Sequence, residues 1–333
     1  IHDIKKVGQD NQAIIGTSGS GPYKIINNRL EAAGENILFG GGDTPDGDHN
    51  AKDIEICGNH ILKPMDWFDP EFKYRARWSL KNLVEFKHGQ RVVFTGNILE
   101  NNWASAQTGW SILLRSTDQG GGENNSHQKT DNVIIAYNQI LNITNGIDAN
   151  GRGSGSSNAG PTENLYIAHN LFDRMGRESD FGGTGWLFIL SKDLRNVVIS
   201  KNTAFNSQTY LLTNCTGHGQ SCSDRWANAI LNLQVQDNIM NYGEPGYGIH
   251  GSGGATDEEQ FSNATDEASM LINNVITGGP GKQYPSDTNY LPEDLDAVGF
   301  VNWAGGDYQL SESSPYLTAA TDGGPVGADI TAL

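Results

Sequence analysis

The chain repeats one hydrophobic pattern from end to end: two apolar residues alternate with polar ones, and an asparagine follows three positions after the second. It reads DIEICGN ending at Asn59, RVVFTGN at Asn97, NVIIAYN at Asn138, NLYIAHN at Asn170, NVVISKN at Asn202 and NLQVQDN at Asn238. Weaker copies end at Asn28 (YKIINN) and Asn274 (SMLINN). The alternation has the period of a strand, so that Val197 and Ile199 face one way and Val198 and Ser200 the other. The interval ranges from 31 residues (Asn28 to Asn59) to 41 (Asn97 to Asn138), a solenoid spacing with loops of variable length.

A second apolar series runs between the asparagine strands: QAIIGTS, ENILFGGG, NLVEFKH, WSILLRS, NGIDANG, WLFILSK, YLLTNCT and YGIHGSG. A brief third segment, such as ILENNW or LFDRMG, follows each asparagine strand. Each turn of the chain therefore has three faces. With Gly/Asn turns between strands and no amphipathic helix pattern, this predicts an all-β fold: a parallel β-helix solenoid of three sheets and about eight coils. The run ATDEEQFSNATDEA reads as a solvated loop. An asparagine at a fixed offset has a physical reason in such a stack. Its amide bonds backbone and the next asparagine at a tight bend, and asparagine tolerates the left-handed region.

This pattern resembles the pectate-lyase-like right-handed β-helix superfamily, in which an asparagine ladder lies at the sharp turn between the second and third sheets. The resemblance covers most of residues 10–280, within one domain of residues 1–333. The tail, VGFVNWAGGDYQLSESSPYLTAATDGGPVGADI, is similar to the closing segment of secreted β-helix carbohydrate proteins, and residues 281–333 are expected to cap the solenoid. A bare terminal coil would expose strand edges.

Composition narrows the function. A hydrophobic fraction of 36% and 42 glycines fit a narrow core with many turns. A net charge of −17 argues against a nucleic-acid partner. No apolar run reaches membrane-spanning length, so membrane insertion is not expected. Cys215 and Cys222 in NCTGHGQSC are spaced for a loop-closing disulfide, with free thiols as the alternative, and Cys57 reads as a lone thiol. The opening IHDIKKVG has no signal-peptide pattern, so a secreted or cell-surface location is inferred, not read. A monomer without an organic cofactor is expected.

The resemblance implies a substrate groove along the outer face of the first sheet, and alternation gives the residues there. Glu85 and Lys87 face out beside Val84 and Phe86; Leu113 and Arg115 beside Ile112 and Leu114; Asp148 and Asn150 beside Ile147 and Ala149. His250 faces out if Ile249 is core. Glu85, Lys87, Arg115, Asp148 and Asn150 should form one patch. Its chemistry suits lyase cleavage of a uronic-acid glycan, which needs a base, a cation for the substrate carboxylate and a proton source. Lys87 is the candidate base if Arg115 depresses its proton affinity, and Arg115 the carboxylate partner. Glu85, Asp148 and Asn150 are candidate calcium ligands, as are Asp43, Asp46 and Asp48 in the loop GGGDTPDGDHN. The arrangement resembles the Lys-plus-Arg pair of the alginate lyase and chondroitinase B type. It departs in having one Glu before the Lys where that family has two, and in a longer Lys-to-Arg interval.

The basic, aromatic segment FKYRARW offers Lys73, Arg75, Arg77 and Trp78 to an anionic sugar, and Trp103 and Trp110 flank the loop into the Arg115 strand. These aromatics either stack on sugar or pin loops. GHG at His218 and GID at Asp148 resemble fragments of the polygalacturonase motif, but that family's paired aspartates are missing. Three readings stay open: a lyase, a glycoside hydrolase using Glu85 and Asp148, and a non-catalytic glycan-binding or structural solenoid.

Overall fold

The computed structural model describes residues 1–69, 71, 78–118, 125–152, 158–176, 181–205, 209–214, 229–242, 248–278 and 288–333. It is a right-handed parallel β-helix. Three sheets of eight strands each run the length of the described chain, and every strand pairs in parallel with its counterpart one coil on. The first sheet includes Ile37–Phe39, Val84–Phe86, Ile112–Arg115, Ile147–Asn150, Phe188–Ser191, Leu211–Asn214 and Ile249–His250. The second carries the asparagine pattern, as in Gly89–Thr95, Thr130–Ala136 and Glu163–Ala168. The third consists of the brief segments, such as Ile98–Asn102 and Leu171–Met175.

The core is a column of like residues in register. Phe39, Phe86, Leu114 and Ala149 stack on successive rungs of the first sheet, with Phe39 and Phe86 parallel at 5.7 Å. Val92, Val133, Leu165 and Val197 do the same on the second. β-branched and aromatic side chains suit this pleated, fully buried surface.

The asparagine ladder forms as the pattern predicts and is longer by one. The backbone N–H and Nδ2 of Asn170 both donate to Oδ1 of Asn202, at 3.0 and 2.9 Å. Nδ2 also donates to the carbonyl of Ile135 at 2.9 Å, so the bend leaves no orphan. The same bonds link Asn28, Asn59, Asn97, Asn138, Asn170, Asn202, Asn238 and Asn274, and then Asn289. The left-handed residue at the bend is not the ladder asparagine but the one before it: Asn27, Gly58, Gly96, Tyr137, His169, Lys201, Asp237 and Asn273 all have φ between 52° and 65°. The bend is thus set by a position where most rungs carry an ordinary L-residue, held there by the ladder.

One expectation changes. The run read as a solvated loop contains the helix Asp257–Ala264. Thr256 accepts from the N–H of Glu259, the Glu259 carboxylate accepts from that of Ala255, and Phe261 and Ala264 are buried. Asp257 accepts from the N–H of Ile249, fixing the helix to the last strand of the first sheet. The irregular tail packs on the solenoid as expected, along a path that the pattern did not give. Asn289 and Tyr290 add a partial ninth rung. The chain then turns back along the flank of the third sheet, packing Val298, Phe300, Tyr316 and Val326 on Leu171, Phe205, Ile239 and Val275. It reaches Gln139, whose amide donates to the carbonyl of Leu333. Cys57 is a free thiol. Cys215 and Cys222, with His218, lie outside the described residues.

Candidate functional site

The outer face of the first sheet is a sunken floor. Register places Leu38, Glu85, Leu113 and Asp148 in one outward row. Although they point away from the core, Leu38, Glu85 and Leu113 are buried. A second outward row holds Lys87, Arg115, Asn150 and Ser191. Arg115 pairs with Asn150 and Asn150 with Ser191, while Lys87 follows Phe86, the register partner of Leu114. The four charged residues therefore lie on three consecutive rungs, with Leu113 between Glu85 and Asp148 in their row, where alternation places it.

The charges sort into two pairs. Lys87 Nζ lies 3.7 Å from Glu85 Oε1, and Arg115 Nη2 lies 4.0 Å from Asp148 Oδ2. Lys87 and Arg115 keep about a quarter of their side-chain surface, at 25% and 28%. Glu85 is oriented from below, because the Asn82 amide donates to its Oε2 at 3.0 Å and Asn82 Oδ1 accepts from the N–H of Trp110. Burial pushes the Asp148 carboxyl up from 3.8 to about 6; Arg115 opposes the shift and the charge of Glu85 adds to it. Arg115 Nε is buried without a hydrogen-bond partner among the described residues.

Other candidates separate from this patch. His250 lies at the exposed end of the same row, three rungs or about 14 Å from Asp148 by strand spacing. Trp103 is buried at 3% exposure in an aromatic cluster with Trp67, Leu80 and Phe181, so it pins loops and offers no face to a sugar. Trp78 packs at the edge of that cluster with Lys5 Nζ 5.6 Å from its ring. Lys73, Arg75 and Arg77 lie outside the described residues.

Two features escaped the pattern. Asn82 is recognisable only once its amide is seen to reach Glu85 three residues on. Trp186 stands half-buried against Trp110, with ring centroids 6.4 Å apart, although 76 residues separate them in the chain. Both tryptophans sit two residues before an inward strand residue, Ile112 and Phe188, and that shared offset was the available signal.

The calcium candidates do not converge. Asp46 Oδ1 accepts from the N–H of Asp48 and contacts His49 Nδ1 at 2.7 Å, while Asp48 lies 3.4 Å from Lys52 Nζ. This is a closed turn, and the His49 bond holds the Asp46 carboxyl below its usual range. Glu85 and Asp148 are divided by Leu113 and each faces a cation. Among the described residues no three His, Cys, Asp or Glu side chains gather as a metal site requires, so no chemistry is routed through calcium.

Comparisons of the chain with protein-family models, with curated proteins and with solved structures find no match. The reading of this face rests on its own residues.

Proposed function

We propose that the outer face of the first sheet binds an acidic, uronic-acid-containing polysaccharide outside the cell and cleaves it by β-elimination. The observation that carries this is the pairing of two cations with two carboxylates on three consecutive rungs of a sunken floor, one carboxylate keeping its proton to about pH 6. The fold and its ladder support the likeness to the pectate-lyase-like superfamily, and the Lys87–Arg115 pair the weaker likeness to its alginate lyase and chondroitinase B members.

Elimination needs three groups, and the floor supplies each. The Glu85 carboxylate, held by Asn82 and beside the Lys87 ammonium, takes the C5 proton. Arg115 receives the substrate carboxylate on the part of its guanidinium that stays accessible, a planar cation matched to a carboxylate. Asp148 returns a proton to the leaving oxygen. Neutralising the carboxylate next to C5 is the largest single contribution, since that is where charge builds in the transition state.

One observation favours a second reading, an inverting hydrolase. Asp148 as acid and Glu85 as base lie two rungs apart, about 10 Å by strand spacing, close to the separation inverting carboxylates use. Products distinguish the two. Incubation with polygalacturonate, alginate, chondroitin and hyaluronan, with calcium or a chelator, should yield unsaturated, ultraviolet-absorbing ends. Lys87→Ala or Arg115→Ala should lower the rate by about a hundredfold or more. New reducing ends without absorbance establish the hydrolase. Neither product on any polymer leaves a glycan-binding or structural solenoid.

A further inference from the structure

Across the floor from Arg115, the structure has a wall of different chemistry. Trp110, Asn145 and Trp186 occupy one offset on consecutive rungs, each two residues before an inward strand residue and, for Asn145, three before Asp148. Three residues of strand make about 10 Å, so this wall and the cations lie on opposite sides of Asp148. The two indoles are stacked at 26° between ring planes, with Trp110 buried and Trp186 half-buried. Asn145 holds them in place: its Oδ1 accepts from Thr184 Oγ1 at 2.6 Å and the N–H of Trp186 at 3.2 Å. The loops leading into the two tryptophans, residues 104–108 with Gly183 and Thr184, line a cavity of about 440 Å³. Thr209 is in register with Trp186 on the next rung, and its buried hydroxyl has no hydrogen-bond partner among the described residues.

We infer that the Trp186 ring, backed by Trp110 and flanked by the cavity, is a subsite for the apolar face of a pyranose ring of the bound glycan. The inference rests on the glycan reading above and extends it. A pyranose has an apolar C–H face that packs on an indole and an equatorial rim of hydroxyls that seeks polar partners. The wall offers both: the accessible part of the indole for the face, and the cavity's Ser105, Gln107 and Thr184 for the rim. A tryptophan that only pinned its loop would need no polar-lined cavity beside it. The arrangement also sets polarity across the groove, with the acidic edge of the sugar chain toward Lys87 and Arg115 and an apolar ring face toward Trp186.

The test uses size-defined oligosaccharides of the same four polymers and the intact protein. Binding is read by calorimetry and tryptophan fluorescence, with Lys87→Ala as a background that stops turnover. Trp186→Ala should weaken binding about tenfold and reduce the fluorescence response, the loss in the active protein falling on KM rather than on kcat. Trp186→Phe keeps an aromatic face and should recover most of the affinity, which separates stacking from misfolding. Unchanged affinity and KM in Trp186→Ala overturn the subsite while the cleavage reading stands. Weakened binding in Trp186→Ala, together with turnover that survives Lys87→Ala, upholds the subsite and removes the assigned role of Lys87. Absence of binding by every oligosaccharide overturns the subsite.

Discussion

In the proposed elimination Asp148 is the proton donor, and its environment makes a pH test with a definite sign. Folded, it holds its proton to about 6; unfolded, to about 3.8. Between those values the folded chain binds more protons, so the stability this group contributes is whole below about pH 4 and lost as pH rises through about 6. Asp148→Asn should therefore be more stable than the wild type at about pH 7.5, by no more than about 3 kcal/mol, with the gap closing toward about pH 4 in urea titrations. A gap that does not change with pH would mean that the side chain is better solvated than its position implies. The outward charges were legible in the sequence because a strand's period is fixed, so Glu85, Lys87, Arg115 and Asp148 could be placed from alternation alone. Their pairing was not. Whether Lys87 meets Glu85 or Arg115 depends on rotamers and on the intervening Leu113, and Asn82 enters only through a side chain that turns back toward its own strand.

At the scale of the element, the ladder and one buried lysine hold the bends. Asn170 donates to Ile135, Ala168 and Asn202 and accepts from Asn138, all within the buried corner. Asn170→Ala leaves several of those groups unpaired at once and should cost about 3 kcal/mol, read as a lower urea midpoint at unchanged m-value. Lys63 serves the opposite corner. It is fully buried, and burial pushes its amine down from 10.5 to about 7. Its Nζ donates to the carbonyls of Ala32 and Gly34 and to Asn36 Oδ1, and lies 3.5 Å from the carbonyl of Asn82, the residue that orients Glu85. Lys63→Met should destabilise by about 3 kcal/mol or more, because the stranded acceptors cannot reach water. The ladder was the clearest signal in the chain, repeating at one offset. Lys63 gave none, since a lysine before a proline reads as surface. The helix Asp257–Ala264 did leave a signal, the capping box of Thr256 and Glu259, which the surrounding charge obscured.

For the whole molecule, the solenoid's contacts are nearly all between adjacent rungs, and the tail is the exception. By running back along the flank it ties the last coil to the rung of Gln139, and it covers Leu171, Phe205, Ile239 and Val275, which a cap over the end alone would leave bare. Phe300→Ala should lower stability by about 3 kcal/mol and expose an apolar strip detectable by dye binding. A cap could be expected from the sequence because a β-helix must end; its path could not, because irregular backbone has no period to read. The proposed polymer substrate fits this length, since a face crossing parallel rungs suits a polymer better than a small molecule. The decisive measurement is a crystal structure of the Lys87→Ala variant with an acidic oligosaccharide from the panel. The account predicts a sugar chain across the rungs of Glu85, Arg115 and Asp148, with a carboxylate on Arg115. A chain bound on another face, or with its carboxylates turned away from Arg115, would contradict it.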